Sequence, residues 1–372
     1  MPQITYPDVW NVISKGNRLF IPYVIEQAIL DCIPTDNIDM AKIAGDELQE
    51  IFKPLDRAIT LDYNRDEIVN AYSLYYLRRN TLIPRIAIRD MVLNTDLQQF
   101  PENMRVLDLG SGTGAVTLGL LEMFLHPPFN QINITVDSLD KSMPSLIRLK
   151  QHQIQAGLSD FNVNAVVQDL NDISALDSEL RRLGPYDLIF AANVFNELDH
   201  QISCDIIRCL SNHLKERALI TIVNAQRDFT KILQPKLVTA AVNNSLYVYY
   251  PCPTQNCSPA VCWFWREHDY DCQKLRSKGG QFILSNHRDQ LVATWLILCN
   301  KQLTIFDDFK LRYPGLGWGV FRIYGKDPCK HTCEVCTSQG IQSIGPQTSP
   351  YKRGAIVGYS GTPLQIQQYL EL

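Results

Sequence analysis

The pattern of apolar and polar positions changes character along the 372-residue chain. In residues 1–95 it repeats at helical spacing: Tyr23, Ile25, Ala28, Ile29 and Cys32 share one face, and Pro34 ends that helix. Residues 31–50 hold six acids and one lysine, the composition of a solvated helix pair. The tyrosine-rich stretch Ala71–Asn80 leads into a further helix, Ile83–Leu93. Tyrosines at this spacing read as packing, with the lining of a nearby cleft as the alternative. From Met104 onward short apolar runs alternate with amphipathic ones, the signature of a parallel α/β sheet. Strands are predicted at Met104–Leu109, Ile132–Leu139, Val163–Gln168, Tyr186–Ala192 and Ala218–Val223, with helices over Leu118–Phe124 and Ser142–Gln155. The sequence shows neither an internal repeat nor a low-complexity tract.

The chain is 45% hydrophobic and 20% charged, the balance of a globular protein with a substantial core. A net charge of −4 excludes a global basic field for unspecific nucleic-acid binding. Residues 301–353 differ locally, with eight Lys/Arg against four acids. Without a run of 18 apolar residues, no transmembrane helix is expected. Met1–Asp8 lacks the basic region of a secretory leader, so a cytoplasmic location is expected. Eleven cysteines in such a chain point to buried or metal-bound thiols rather than disulfides.

The stretch with the clearest chemistry is Val106–Val116, a buried strand, a glycine turn and a helix start. Glycines at such a turn permit positive φ and let a ligand sit against the backbone, while the helix start offers unpaired N–H groups. Gly110 to Ala115 satisfies the dinucleotide pattern G-x-G-x-x-A, which alone is weak. Asp108 decides between ligands, because a dinucleotide strand has an apolar residue there and a carboxylate accepts from a ligand ammonium. The acidic end of the second strand, Asp140, with Asp137 as the fallback, is placed to take ribose hydroxyls; a helix N-cap is the structural alternative. The spacing of Asp108, Gly110, Gly112 and Gly114 resembles the class I S-adenosylmethionine (SAM) methyltransferases. That resemblance implies a turn wrapped around the methionine part of SAM and puts Asp169 opposite the adenine amino group. It also brings Asn193, at the end of the fourth strand, to the border of the reaction centre as the catalytic candidate. Asn193-Val194-Phe195 lacks the prolines of a base-amine methylase. Cys252 lies too far along the chain to be a cytosine-methylase nucleophile, and no general base stands out.

The cysteines form the second informative pattern. Cys252, Cys257 and Cys262 recur at intervals of five in a proline-framed loop, Cys272 follows, and Cys329, Cys333 and Cys336 lie further on. Grouped thiolates select zinc or an iron–sulfur cluster, and these long gaps fit a cluster better than a zinc ribbon, so zinc is the runner-up. The Cys329–Cys336 spacing matches a radical-SAM triplet, but a barrel does not follow it. Unrelated core thiols are the bland reading.

The glycine turn, the Pro-Cys-Pro…Cys-x-Pro…Cys-x-Phe segment and the distant Val-Cys-Thr-Ser-x-Gly together resemble the methyltransferase-like proteins of mitochondrial small-ribosomal-subunit assembly and their bacterial relatives. The resemblance spans about residues 65–340. It implies a [4Fe–4S] cluster on Cys252, Cys257, Cys262 and Cys336, and action on or with small-subunit ribosomal RNA. Three departures stand out: Trp263 replaces a family histidine, Ile341–Leu372 has only Lys352 and Arg353 as cations, and Cys329 and Cys333 are extra. The expected organisation is a helical cap at 1–95, a Rossmann-like SAM-binding domain at 96–245, a Cys-rich cluster-bearing subdomain at 246–340 and a tail at 341–372. The alternatives are a stand-alone methyltransferase of a small molecule or peptide and a non-catalytic SAM-binding module.

Overall fold

The computed structural model describes residues 4, 6–15, 18–33, 62–92, 100–224, 232–250, 290–302 and 304, with the backbone of strands at 265–271, 317–323, 333–337, 340–345, 356–360 and 365–370. The chain begins with helix α1 (Tyr6–Ile13), strands β1 (Ser14–Lys15) and β2 (Arg18–Phe20), and helix α2 (Tyr23–Cys32). The β1–β2 hairpin departs from the all-helical reading of this region; its strands are too short to carry a period of their own. Helix α3 (Asp66–Tyr72), a π-helical turn (Ser73–Leu77), α4 (Arg78–Asn80) and α5 (Leu82–Val92) follow.

Strand–helix alternation then begins: β3 (Asn103–Leu109), α6 (Ala115–Phe124), β4 (Asn133–Asp140), α7 (Met143–Gln155), β5 (Asn162–Val167) and α8 (Ile173–Leu183). It continues through β6 (Tyr186–Ala192), α9 (His200–Ser211), β7 (Leu214–Asn224), α10 (Gln234–Asn243), β8 (Tyr247–Tyr250), β9 (Trp265–Asp271) and β10 (Gln290–Cys299). In the sheet, β5, β4, β3, β6 and β7 lie side by side and parallel. Antiparallel β10 follows β7, and both β8 and β9 pair with it. Beyond β9 the hairpin joins through β2, so ten strands form one sheet. The sequence boundary at 245/246 falls inside this sheet. Strands β11 (Gly317–Ile323), β12 (Cys333–Thr337), β13 (Gly340–Gly345), β14 (Ile356–Ser360) and β15 (Gln365–Leu370) make a second, antiparallel sheet. Two of its strands, and all but the first residue of a third, lie in the stretch read as a tail.

Alternate side chains on the central strands feed two cores. Val106, Val136 and Phe190 pack with the amino-terminal helices, α6 and α7. Leu107, Leu139 and Ile189 pack with α8, α9 and α10. Because Ile25, Leu74, Leu77 and Ile86 share the first core, the cap is continuous with the sheet. Two buried ion pairs, Arg78–Glu26 within the cap and Arg85–Glu122 between α5 and α6, fix the angle of the cap helices. Among the described residues, no helix is long and apolar enough to cross a membrane.

Candidate functional site

The order β4-β3-β6 makes β3 the point where successive strands diverge to opposite sides, which opens a crevice at the carboxyl ends of the strands. The glycine turn forms the floor. Gly110 N and Ser111 N both donate to Leu139 O, at 2.8 and 3.0 Å, which ties the turn to the end of β4. Gly110, Gly112 and Gly114 all have positive φ. A Cβ on Gly110 would lie 2.6 Å from Val194 Cγ2, and one on Gly114 would lie 2.6 Å from Leu149 Cγ. At Gly112 the nearest atom would be Tyr72 Cε1 at 3.7 Å. Two glycines therefore serve close packing, while the middle one borders open space.

A cleft occupies that space. Asp169, Asp140, Gly110 with Gly112, and Asn193 line it, following the strand order β5, β4, β3, β6. Asp140 Oδ2 accepts from Gly112 N and Oδ1 from Ser142 N, both at 2.8 Å, and burial nevertheless pushes its pKa up. Ser142, not Asp140, caps α7. The fallback Asp137 is fully buried and held by Arg105 and Asn164. Asp169 lies exposed at the end of the cleft; the Asn171 backbone N–H holds its carboxyl below the usual range. Asn193 adopts φ +58°, a left-handed conformation that asparagine tolerates better than most residues.

Asp108 stands elsewhere than a ligand-gripping role requires. It is 1% exposed and does not line the cleft; its Oδ2 accepts from Thr117 N (3.1 Å) and Thr117 Oγ1 (2.7 Å). Burial pushes its pKa up to about 7. In this position it braces the first turn of α6 behind the glycines. Gly114, at the N-cap of α6, is also outside the cleft lining. Cys252, Cys257 and Cys262 lie outside the described residues, and Cys336 is described only as backbone, on β12.

Among the lining residues that sequence reasoning missed are Tyr63, Lys141 and Glu197. Tyr63 precedes α3 and spans the mouth of the cleft. Its carbonyl accepts from Ser142 Oγ (2.7 Å), and its hydroxyl donates to Glu197 Oε1 (2.8 Å). Lys141 Nζ sits 5.9 Å from its ring, and Tyr72 meets it edge-on. Glu197 is open to solvent yet surrounded by protein in the concave cleft, and desolvation there pushes its carboxyl up to about 7. The available signal was an acid in the loop directly after the fourth strand, Asn193–Glu197. Of the tyrosine-rich run, Tyr72 lines the cleft while Tyr75 and Tyr76 pack in the core.

A second group of polar side chains, Asp177, Cys209 and His213, sits at the opposite edge of the sheet, where β6 and β7 begin. His213 Nε2 donates to Asp177 Oδ1 (2.9 Å), and Arg181 Nη2 lies 2.6 Å from Oδ2. The Arg181 guanidinium and the His213 ring already occupy this carboxylate, and burial pushes the Cys209 thiol up to about 12.

A central five-stranded parallel sheet continued by antiparallel β10, with a glycine turn at the divergence point and acids at the ends of the next two strands, defines a class I SAM-dependent methyltransferase. The chain belongs to the methyltransferase-domain family, whose profile matches residues 101–305. No curated protein matches it. Similar solved structures include a SAM-dependent methyltransferase from Methanosarcina mazei (12% identity, 55% of this chain and 95% of that one, TM-score 0.35). Another is the magnesium protoporphyrin IX methyltransferase of Synechocystis PCC 6803 with bound SAM (11% identity, 72% and 99% coverage, TM-score 0.37). A TehB-like methyltransferase from Corynebacterium glutamicum is similar at 14% identity, 60% and 88% coverage and a TM-score of 0.34.

Proposed function

We propose that this protein binds SAM in the cleft at the end of β3 and transfers its methyl group to an acceptor that enters beside Asn193. The observation that carries this reading is the single row of Asp169, Asp140, Gly112 and Asn193 along the strand ends. Asp169 would meet the adenine, Asp140 the ribose, and the Gly110–Gly112 backbone the methionine end. SAM supplies an electrophilic methyl on a sulfonium. The protein's task is alignment, since an in-line displacement demands little else. The open space at Gly112 and the acidic row fit such a ligand. Titration calorimetry tests the reading: SAM binds one to one, and Asp140→Ala weakens binding at least about tenfold. Absence of binding heat, together with no rise in Tm on adding SAM, sinks it.

For the acceptor we infer action on or with small-subunit ribosomal RNA, with Cys252, Cys257, Cys262 and Cys336 holding a [4Fe–4S] cluster; the sequence resemblance supports both. An anaerobic preparation with an absorption band near roughly 400 nm and iron rather than zinc supports the cluster. Co-sedimentation with small ribosomal subunits that fades with salt supports the RNA. One observation favours the second reading, a small-molecule or peptide acceptor. Among the described residues of the cleft lining, Asp140, Asp169 and Glu197 face one cation, Lys141, a charge balance that repels phosphates. Under that reading the protein ignores ribosomal subunits at any salt.

A further inference from the structure

The row of cleft residues has a charge asymmetry that the binding of SAM does not by itself require. Asp169 and Asp140 stand at one end, opposite the adenine and ribose. Glu197 lies across from Asp140, in the loop after β6 that also carries Asn193. Asp140 already accepts two backbone N–H groups, and Asp169 accepts from Asn171. Among the described residues Glu197 has one hydrogen-bond partner in the cleft, the hydroxyl of Tyr63, a neutral donor that anchors Oε1, while Lys141 acts on it at longer range. The groups facing it from the elements around it are Tyr63 and Tyr72, Lys141 and Asp140, with Asp108 behind Asp140.

We propose that Glu197 reads the charge on the sulfur: its carboxylate, held by Tyr63 beside the methyl-bearing end of the cleft, favours the sulfonium of SAM over the neutral thioether of the product S-adenosylhomocysteine (SAH). This rests on the reading of the cleft as a SAM site. The two molecules share adenine, ribose and amino-acid ends, and differ in a methyl group and one positive charge. An anion near the sulfur therefore acts on their difference and leaves the shared contacts alone. When the methyl leaves, the C–S bond electrons stay on sulfur, its charge disappears, and the attraction to Glu197 goes with it. Product release is thereby eased without any movement of the protein. The open mouth of the cleft moderates the size of the effect by solvent screening.

The test measures Kd for SAM and for SAH, by calorimetry, in the full-length protein and in Glu197→Gln. The expected result is a ratio Kd(SAH)/Kd(SAM) that drops about three- to tenfold in Glu197→Gln, through weaker SAM binding with SAH affinity retained. Retained SAH affinity also certifies the fold of the variant. In the wild-type protein the ratio falls as pH drops below about 7, where the carboxylate takes a proton; in Glu197→Gln this step disappears, while Asp108 and Asp140 are the same in both proteins. An unchanged ratio with both ligands bound overturns the proposal and leaves the SAM site standing. Equal losses for the two ligands overturn it as well, and make Glu197 a contact to their common part. Failure of the wild-type protein to bind either ligand removes the SAM site and the proposal together.

Discussion

Asp108 and the turn glycines show how much of this site rests on individual backbone and burial constraints. A carboxyl whose folded pKa is about 7 takes up a proton on folding between its unfolded value, about 4, and about 7. Stability therefore falls as pH rises through that window, because the native state binds more protons there than the unfolded chain. Asp108→Asn keeps an oxygen for Thr117 and removes the titration. Urea melts at pH 4 and pH 7.5 are expected to show the wild-type protein losing roughly 2–4 kcal/mol more than the variant between the two. The glycines separate differently. Gly110→Ala forces a Cβ into Val194 and lowers stability by about 2 kcal/mol or more. Gly112→Ala pays a left-handed strain of about 1 kcal/mol and keeps its packing, but projects a methyl into the cleft. Denaturation should separate the two variants while calorimetry shows both failing to bind SAM. The glycine spacing was legible in the sequence because turn geometry is local. The job of Asp108 was not, because whether a carboxylate faces a ligand or a helix start depends on Thr117, nine residues on, folding back over it.

At the scale of elements, helices α6 and α7 hold the glycine turn from two sides. His152 on α7 is fully buried, and its Nδ1–H donates to Thr113 O at 3.2 Å, which pins the turn to the helix. Burial lowers its pKa to about 3, so the ring stays neutral in the fold while the unfolded chain protonates it below about 6.5. That linkage withdraws stability as pH falls from about 6.5 towards 3. His152→Ala should flatten this acid limb, lower overall stability by about 2 kcal/mol and weaken SAM binding, read by melts across pH and by calorimetry. On α6, Gly119 lets the helix pass against the cap: a Cβ there would sit 2.3 Å from Thr81 O. Gly119→Ala, a gain of about 1 kcal/mol in an isolated helix, should instead cost several here, which a thermal melt will reveal. The predicted central strands lie within a few residues of those observed, because buried parallel strands are continuous apolar runs bounded by polar ones. Among the features that escaped the pattern, β1 and β2 are too short to show alternation, and β10 signals its burial but not its reversed direction.

Across the whole molecule the cap and the sheet act as one body, since they share a core and are locked by the Arg85–Glu122 pair. Arg85 also donates to Val12 O at 2.8 Å, so one side chain joins α1, α5 and α6. Arg85→Ala leaves Glu122 buried without its cation and should cost about 3–5 kcal/mol. The double variant Arg85→Met, Glu122→Leu should recover much of that loss, a comparison that chemical denaturation makes directly. Sequence reading separated cap from sheet because helical spacing gives way to strand–helix alternation from Met104, yet an apolar pattern carries no record of which core a helix joins.

The parallel pairing of β2 with β9 sets Leu19 beside Tyr270. On a ribosome making about 5–20 residues per second, the early strand emerges many seconds before its neighbour exists. Until then its hydrogen-bonding edge is open to whatever else is near. The order of synthesis thus runs against the order of the sheet, and this pairing waits for residues made about 250 positions further along the chain.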